Sequence, residues 1–244
     1  MLRRRTAALA LLALAAGGAG GAQGGPAASI RPVVWVQAGH QGPREPGYLA
    51  QTGAPGEMAF TTRLAAALER RLRAAGVDAR HTPGRVTPMG AAGAVFISLH
   101  YDTSSGHAGV AGAVTGGGEN WYHGEGTGTA SQRPYPDSAP HRTPPTTVSP
   151  AVAAASARLA GLIDARYGAA FTPANGARSG PVTLVGVGGN TRMTHYYGFY
   201  RTGARARVIV ECGAGGRDGA ILGRTDLIAG ALATAILEDL GLHA

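Results

Sequence analysis

VVWVQAGHQG, residues 33–42, is a β-branched apolar run that stops on a glycine, a histidine and another glycine. A short continuous apolar run of this kind makes a strand buried on both faces, as in a parallel sheet. The glycines let the backbone turn sharply where the run ends. His40 is thereby delivered to the carboxyl end of a buried strand.

Outward from this stretch the chain alternates helix and strand signals. Residues 57–75 are helical, with Leu64, Leu68 and Leu72 spaced four apart on one face, and Gly76 ends that helix. Residues 77–81 alternate as a second strand, and 94–100, AVFISLH, form a third. A weaker strand begins at Ala113 and Val114 and resumes over 120–123. Residues 124–149 are proline-rich without apolar periodicity and are expected to be a long surface loop. A helix resumes at Pro150, which suits a first turn, with Val152, Leu159, Leu162 and Ile163 facing inward. Residues 181–187 and 207–211 are strands. Residues 225–240 close the chain as a helix that buries Leu227, Ile228, Ala231, Leu232, Ala235 and Ile236. This order predicts one α/β domain over 31–244, with a mainly parallel twisted sheet of about six strands and helices on both faces.

At 244 residues the chain is long enough for one full core and too short for two ordinary domains. Its first 22 residues place Arg3, Arg4 and Arg5 before an apolar Ala/Leu run and then small residues, which is the layout of a secretory signal peptide cut after Ala22. Residues 23–30 are a linker. The apolar run is too short to span a bilayer comfortably, so no stable membrane insertion is expected after cleavage. The net charge of +8 falls to +5 without the three leader arginines. All the Lys/Arg charge is arginine in an Ala- and Gly-rich chain, a bias of GC-rich coding, so arginine richness does not argue for nucleic acid. A mildly basic exported protein suits a polyanionic cell envelope. Cys212 is the one cysteine, which excludes an intrachain disulfide.

In parallel α/β sheets ligands bind beyond the carboxyl ends of the strands. His40, His100 and Glu211 stand at three such ends, and Glu57 stands in the first turn of the first helix. Two histidines and a carboxylate with an open position form the ligand set of a catalytic zinc, and a second glutamate beside them is the expected general base. Each alone has a bland alternative as a turn or helix-dipole residue. Glu211 inside VIVECG is harder to dismiss, because desolvating an acid at the end of an apolar strand is costly without a partner.

The segments VWVQAGHQG, GEMAFTTRLAAALERRLRAAGV, AVFISLHYD and RVIVECGAGGRDGAIL, in that order, resemble the zinc-dependent N-acetylmuramoyl-L-alanine amidases of the amidase type 3 family, over about residues 33–240. The resemblance implies that His40, Glu57 and His100 ligate one zinc ion per chain and that Glu211 is catalytic. The implied reaction is metal-assisted hydrolysis of the amide joining N-acetylmuramic acid to L-alanine in peptidoglycan, with Glu211 moving the proton from water to the leaving amine. It further implies a peptidoglycan substrate, no nucleic-acid partner, a monomer, and a place in the periplasm, cell envelope or exterior. Arg192, His195 and Asn120 are candidate substrate-binding residues. Two rival readings are a zinc carboxypeptidase-like peptidoglycan peptidase and a catalytically weak wall-binding protein on the same fold. The 17-residue spacing of His40 and Glu57 disfavours the first, whose histidine and glutamate lie about three residues apart.

The chain also departs from the family. Gln37 and Ala38 stand where the family has an aspartate and a proline before the Gly-His pair, so a carboxylate that would orient an imidazole is missing. Asp102 replaces a common asparagine, and the stretch between the second strand and AVFISLH lacks the usual helix.

Overall fold

Val33–Ala38 forms strand β1, and its alternate side chains separate two clusters. Val34, Val36 and Ala38 are fully buried in the main core, whereas Trp35 packs against a smaller cluster around Phe96, Ala111 and Ile209. The computed structural model describes residues 31–40, 53–83, 91–103, 108–115, 120–122, 141–143, 148–172 and 202–242. All of these lie in the unit Arg31–Ala244. The expected signal peptide and linker, and the strand expected at 181–187, lie outside the described residues.

After β1 come helix α1 (Glu57–Ala74) and strands β2 (Asp78–Pro83), β3 (Ala92–Asp102), β4 (Gly109–Gly112), β5 (Asn120–Tyr122) and β6 (His141–Thr143). Helix α2 (Pro150–Ala170), strand β7 (Gly203–Ala214), the one-turn helix α3 (Gly219–Leu222) and helix α4 (Thr225–Asp239) complete the chain. The main sheet has five strands in the order β2-β1-β3-β7-β4. All its pairings are parallel except that of β4 along β7. The α/β architecture with a mostly parallel sheet is therefore as the sequence pattern predicts, while among the described residues the sheet has five strands rather than about six.

Leu64, Leu68 and Leu72 of α1, Leu159 and Ile163 of α2, and Ile228 and Leu232 of α4 share the main core with Val34, Val36, Ile97 and Val208. Among the described residues the three long helices thus gather on one face of the sheet. Each fully buried leucine stabilises the fold by about 1.5–3 kcal/mol through the water it loses. Helix α4 is buried almost all round, and its alanines at 229, 231, 233 and 235 let α1 and α2 approach it from both sides. Gly76 has φ 83 and stops α1. Ser149 caps α2, its hydroxyl accepting the Val152 N–H at 3.3 Å, with Pro150 in the first turn.

Two expectations are corrected. The weak strand expected at Ala113 and Val114 lies earlier, at Gly109–Gly112, where GVAG pairs with Val208–Glu211. Two of its four residues are glycine, so its strand character comes from the neighbouring backbone and leaves no periodicity to read. The stretch 124–149 is not all surface loop: His141–Thr143 pairs antiparallel with Asn120–Tyr122, and Val148 is buried.

Asp239, at the end of α4, is buried and meets two half-exposed arginines, Arg158 of α2 at 2.7 Å and Arg205 of β7 at 3.1 Å. The asymmetry in exposure sets the expected energetics. Removing both arginines strands a buried carboxylate and should cost about 3 kcal/mol or more in urea denaturation. Asp239→Ala lets both arginines return to water and should cost about 1 kcal/mol.

Candidate metal centre

The ladder of β1 continues one residue past the strand, where the Gly39 N–H donates to the Leu99 carbonyl at 2.8 Å. A side chain at Gly39 would put its Cβ 2.3 Å from that carbonyl oxygen and 2.4 Å from the His100 ring. Only glycine lets the end of β1 approach His100 this closely. His40 then adopts φ 56, the left-handed region that few non-glycine residues occupy. The turn is held from α1, whose Thr61 hydroxyl donates to the Gly39 carbonyl at 2.6 Å.

Strand β3 brings His100 to the same edge, and the first turn of α1 brings Glu57. Glu57 Oε1 lies 3.1 Å from His100 Nδ1 and 3.5 Å from His40 Nε2. The two imidazoles meet edge to face at 5.0 Å. One ligand atom from each of the three residues falls within 4.8 Å of the others. Ligand atoms around a tetrahedral zinc, with bonds of about 2.0–2.1 Å, stand about 3.3 Å apart, so this donor set fits the ion. The rest of Glu57 is satisfied by backbone: Ala54 N–H donates to Oε2 at 2.7 Å and Tyr101 N–H to Oε1 at 3.2 Å. Gly53, at φ 82, passes so close that a Cβ there would meet Glu57 Oε2 at 2.3 Å.

The two glutamates of the site are driven apart electrically. Burial pushes Glu57 up, but the hydrogen bond with His100 and the charges of His100 and His40 bring it below the usual carboxylate range. Burial pulls His100 down, and the bond to Glu57 with the charges of Glu211 and Glu57 raises it overall. Glu211 sits opposite His100 on the neighbouring strand β7. Burial, against the attraction of His100, raises its carboxyl to about 7, with Glu57 and Asp102 adding to the rise. Its Oε2 is buried without a hydrogen-bond partner among the described residues. A half-buried acid with a free oxygen and a pKa near neutrality can both take and return a proton.

The structure therefore brings together His40, Glu57 and His100, with Glu211 next to His100. Asn120 lies in β5, outside the main sheet, and Arg192 and His195 lie outside the described residues. Cys212 is fully buried in the helix-side core, on the opposite face of β7 from Glu211, as strand alternation predicts. Sequence reasoning missed the residues that hold the site: Gly53, Ala54, Thr61, Ser98 and the Tyr101 backbone. It also read Gln37 only as a missing carboxylate. Gln37 is fully buried, and its Oε1 accepts a hydrogen bond from Ser98 Oγ at 2.8 Å. The alternation of an apolar strand with Gln37 and Ser98 at interior positions was the available signal, since buried polar groups are there to bond something. A cavity of about 630 Å³ is lined by Pro55, Phe60, Arg63, Tyr101 and Leu222, of which Pro55 and Tyr101 are close in sequence to Glu57 and His100.

No family model matches the chain, and no curated protein matches it. Solved structures do. The chain is similar to the N-acetylmuramyl-L-alanine amidase Ami1 from Mycobacterium smegmatis, with 16% identity, 86% of this chain and 97% of that one covered, and a TM-score of 0.52. It is likewise similar to the apo form of Ami1 from Mycobacterium abscessus, with 17% identity, 86% and 100% covered, and a TM-score of 0.51. At these identities the likeness establishes the fold, which is that of these amidases.

In the metal-free protein the raised pKa of Glu211 carries a cost. Below pH 4.5 the carboxyl is protonated folded or unfolded; above about 7 the folded state must bury a charge that the unfolded chain solvates. Its contribution to stability is thus present at low pH and lost as pH rises through this window. Glu211→Gln should remove that loss, so urea denaturation at about pH 8 should find the variant up to about 3 kcal/mol more stable than wild type relative to their difference at about pH 4.

Proposed function

We propose that the protein is a zinc-dependent N-acetylmuramoyl-L-alanine amidase that hydrolyses the amide between N-acetylmuramic acid and L-alanine in peptidoglycan. The observation that carries this reading is the convergence of His40 Nε2, Glu57 Oε1 and His100 Nδ1 beside Glu211, whose Oε2 has no hydrogen-bond partner among the described residues. The sequence resemblance and the shared fold supply the substrate class.

His40, Glu57 and His100 would hold one zinc ion. When bound, zinc supplies a Lewis acid for the substrate carbonyl and lowers the pKa of water to about 7. Glu211 takes the proton of the attacking water on its unpartnered oxygen and returns it to the departing L-alanine nitrogen. The backbone bonds to Glu57 and the Gly39–Thr61 bond keep the donor set in place during this exchange, so little reorganisation is needed. A chain substrate would find room in the cavity lined by Pro55, Tyr101 and Thr103, which are sequence neighbours of Glu57 and His100.

The substrate lies outside the cytoplasm, which accords with a cleaved leader at residues 1–22. Among the described residues no helix is long and apolar enough to cross a membrane. Protein recovered after export should begin at Gln23 by N-terminal sequencing; an intact residue 1–22 segment on the exported form would sink the cleavage reading.

Purified protein should contain one zinc per chain by atomic absorption and release new L-alanine amino termini from peptidoglycan. Glu211→Gln should keep its zinc and lose activity by about 10²–10⁴-fold, the range for a general acid–base. His100→Ala should lose both. Release of C-terminal amino acids instead would mark a carboxypeptidase, and wall binding without any product would mark a binding protein.

A further inference from the structure

His100 touches two different partners with its two ring nitrogens. Nδ1 faces Glu57 Oε1, and Nε2 lies 3.0 Å from Ser98 Oγ. Ser98 is two residues back along β3, on the same face, and fully buried. It stands in register with Gln37 of β1. Its hydroxyl donates to Gln37 Oε1 at 2.8 Å. A serine hydroxyl has one proton to give. With that proton committed to Gln37, the oxygen facing His100 can only accept, so Nε2 must carry a hydrogen. When an ion binds, Nδ1 gives up the hydrogen that it shares with Glu57 and offers its lone pair where Glu57 and His40 converge, while Nε2 keeps its own.

We propose that Gln37 is a positioning residue for the metal, acting through Ser98 to fix the proton of His100 on Nε2. This rests on the reading of the cluster as a zinc centre. A ligating histidine is commonly oriented by a carboxylate or carbonyl that receives its other N–H, which sets the tautomer. Here that acceptor lies one hydroxyl further away and is a neutral amide. The amide fixes the direction of the relay without adding a negative charge to a site that already holds Glu57 and Glu211. Without it, the Ser98 proton turns towards Nε2, the ring proton moves to Nδ1, and the donor atom is blocked.

The test is zinc affinity, measured by chelator competition, in Gln37→Leu, Ser98→Ala, the double variant and Gln37→Glu. Each of the first two should bind zinc about 10–100-fold more weakly, the usual cost of losing an outer partner. Because the two residues act in series, the double variant should be no weaker than the weaker single. Gln37→Glu keeps an acceptor oxygen and should bind within about threefold of wild type. In zinc-loaded wild type, the His100 Nε2–H should be visible by NMR and slow to exchange; in Ser98→Ala it should exchange freely. Thermal unfolding of the metal-free proteins separates loss of fold from loss of metal, and if Gln37→Leu does not fold, Ser98→Ala and Gln37→Glu decide the matter. Unchanged affinity in Ser98→Ala, or additive losses in the double variant, would overturn the relay while leaving the amidase reading standing. A wild-type chain that takes up no zinc would overturn both.

Discussion

Everything at the carboxyl edge of this sheet depends on how one buried carboxylate is satisfied. Glu57 is almost wholly enclosed, and an isolated charge in such a place would cost several kcal/mol. It is met by the Ala54 and Tyr101 backbone N–H groups and by His100, with His40 just beyond. Those partners come from three separate pieces of chain: the turn before α1, the end of β3 and the turn after β1. Satisfying Glu57 therefore fixes the three pieces against one another. The close passages at Gly39 and Gly53 and the left-handed backbone of His40 are what this convergence demands of the local chain. Such strain persists where surrounding structure over-determines it, and here Thr61 and the Leu99 carbonyl do so.

The elements that carry strong periodicity were legible in the sequence. VVWVQ, AVFISLH and RVIVE are β-branched runs, and each forms a strand of the main sheet; the fourfold leucine spacing of α1 and the Ser149-Pro150 start of α2 locate those helices within a residue or so. What was not legible depends on partners distant in sequence. GVAG becomes a strand because Val208–Glu211 offers it an edge, and His141–Thr143 because Asn120–Tyr122 does. The same division holds at the site. His40, His100 and Glu211 could be found because each polar residue interrupts or ends an apolar run. Their supports could not, because Ala54 and Tyr101 act through backbone N–H groups, which every residue has.

Gln37 shows how little a departure from the pattern of a resembled family says from sequence alone. As a letter it stands where that family has an aspartate before a Gly-His pair, which points to a missing support for His40. In the fold its side chain bonds Ser98, two residues along β3 from His100 and across the register from Gln37 itself. The support is thus directed at the other histidine and passes through a hydroxyl. Cross-strand register, which no single segment encodes, decides which imidazole a residue serves.

The two glutamates of the site are separated by their surroundings, which is what the proposed roles require. Glu57 and Glu211 approach the same imidazole, yet one is held below the ordinary carboxylate range and the other is raised to about 7. Both are penalised by burial, so burial does not distinguish them. The difference is hydrogen bonding to the charged form: Glu57 receives backbone and imidazole donors, whereas Glu211 Oε2 receives none. A carboxylate that is always ionised suits a cation ligand, and one that changes protonation near neutrality suits proton transfer. Reversing the roles would place a fully satisfied carboxylate where a proton must be taken up and a half-protonated one where a cation must be held. Under the proposed function, the donor geometry suits Glu57 to holding the cation and Glu211 to exchanging the proton.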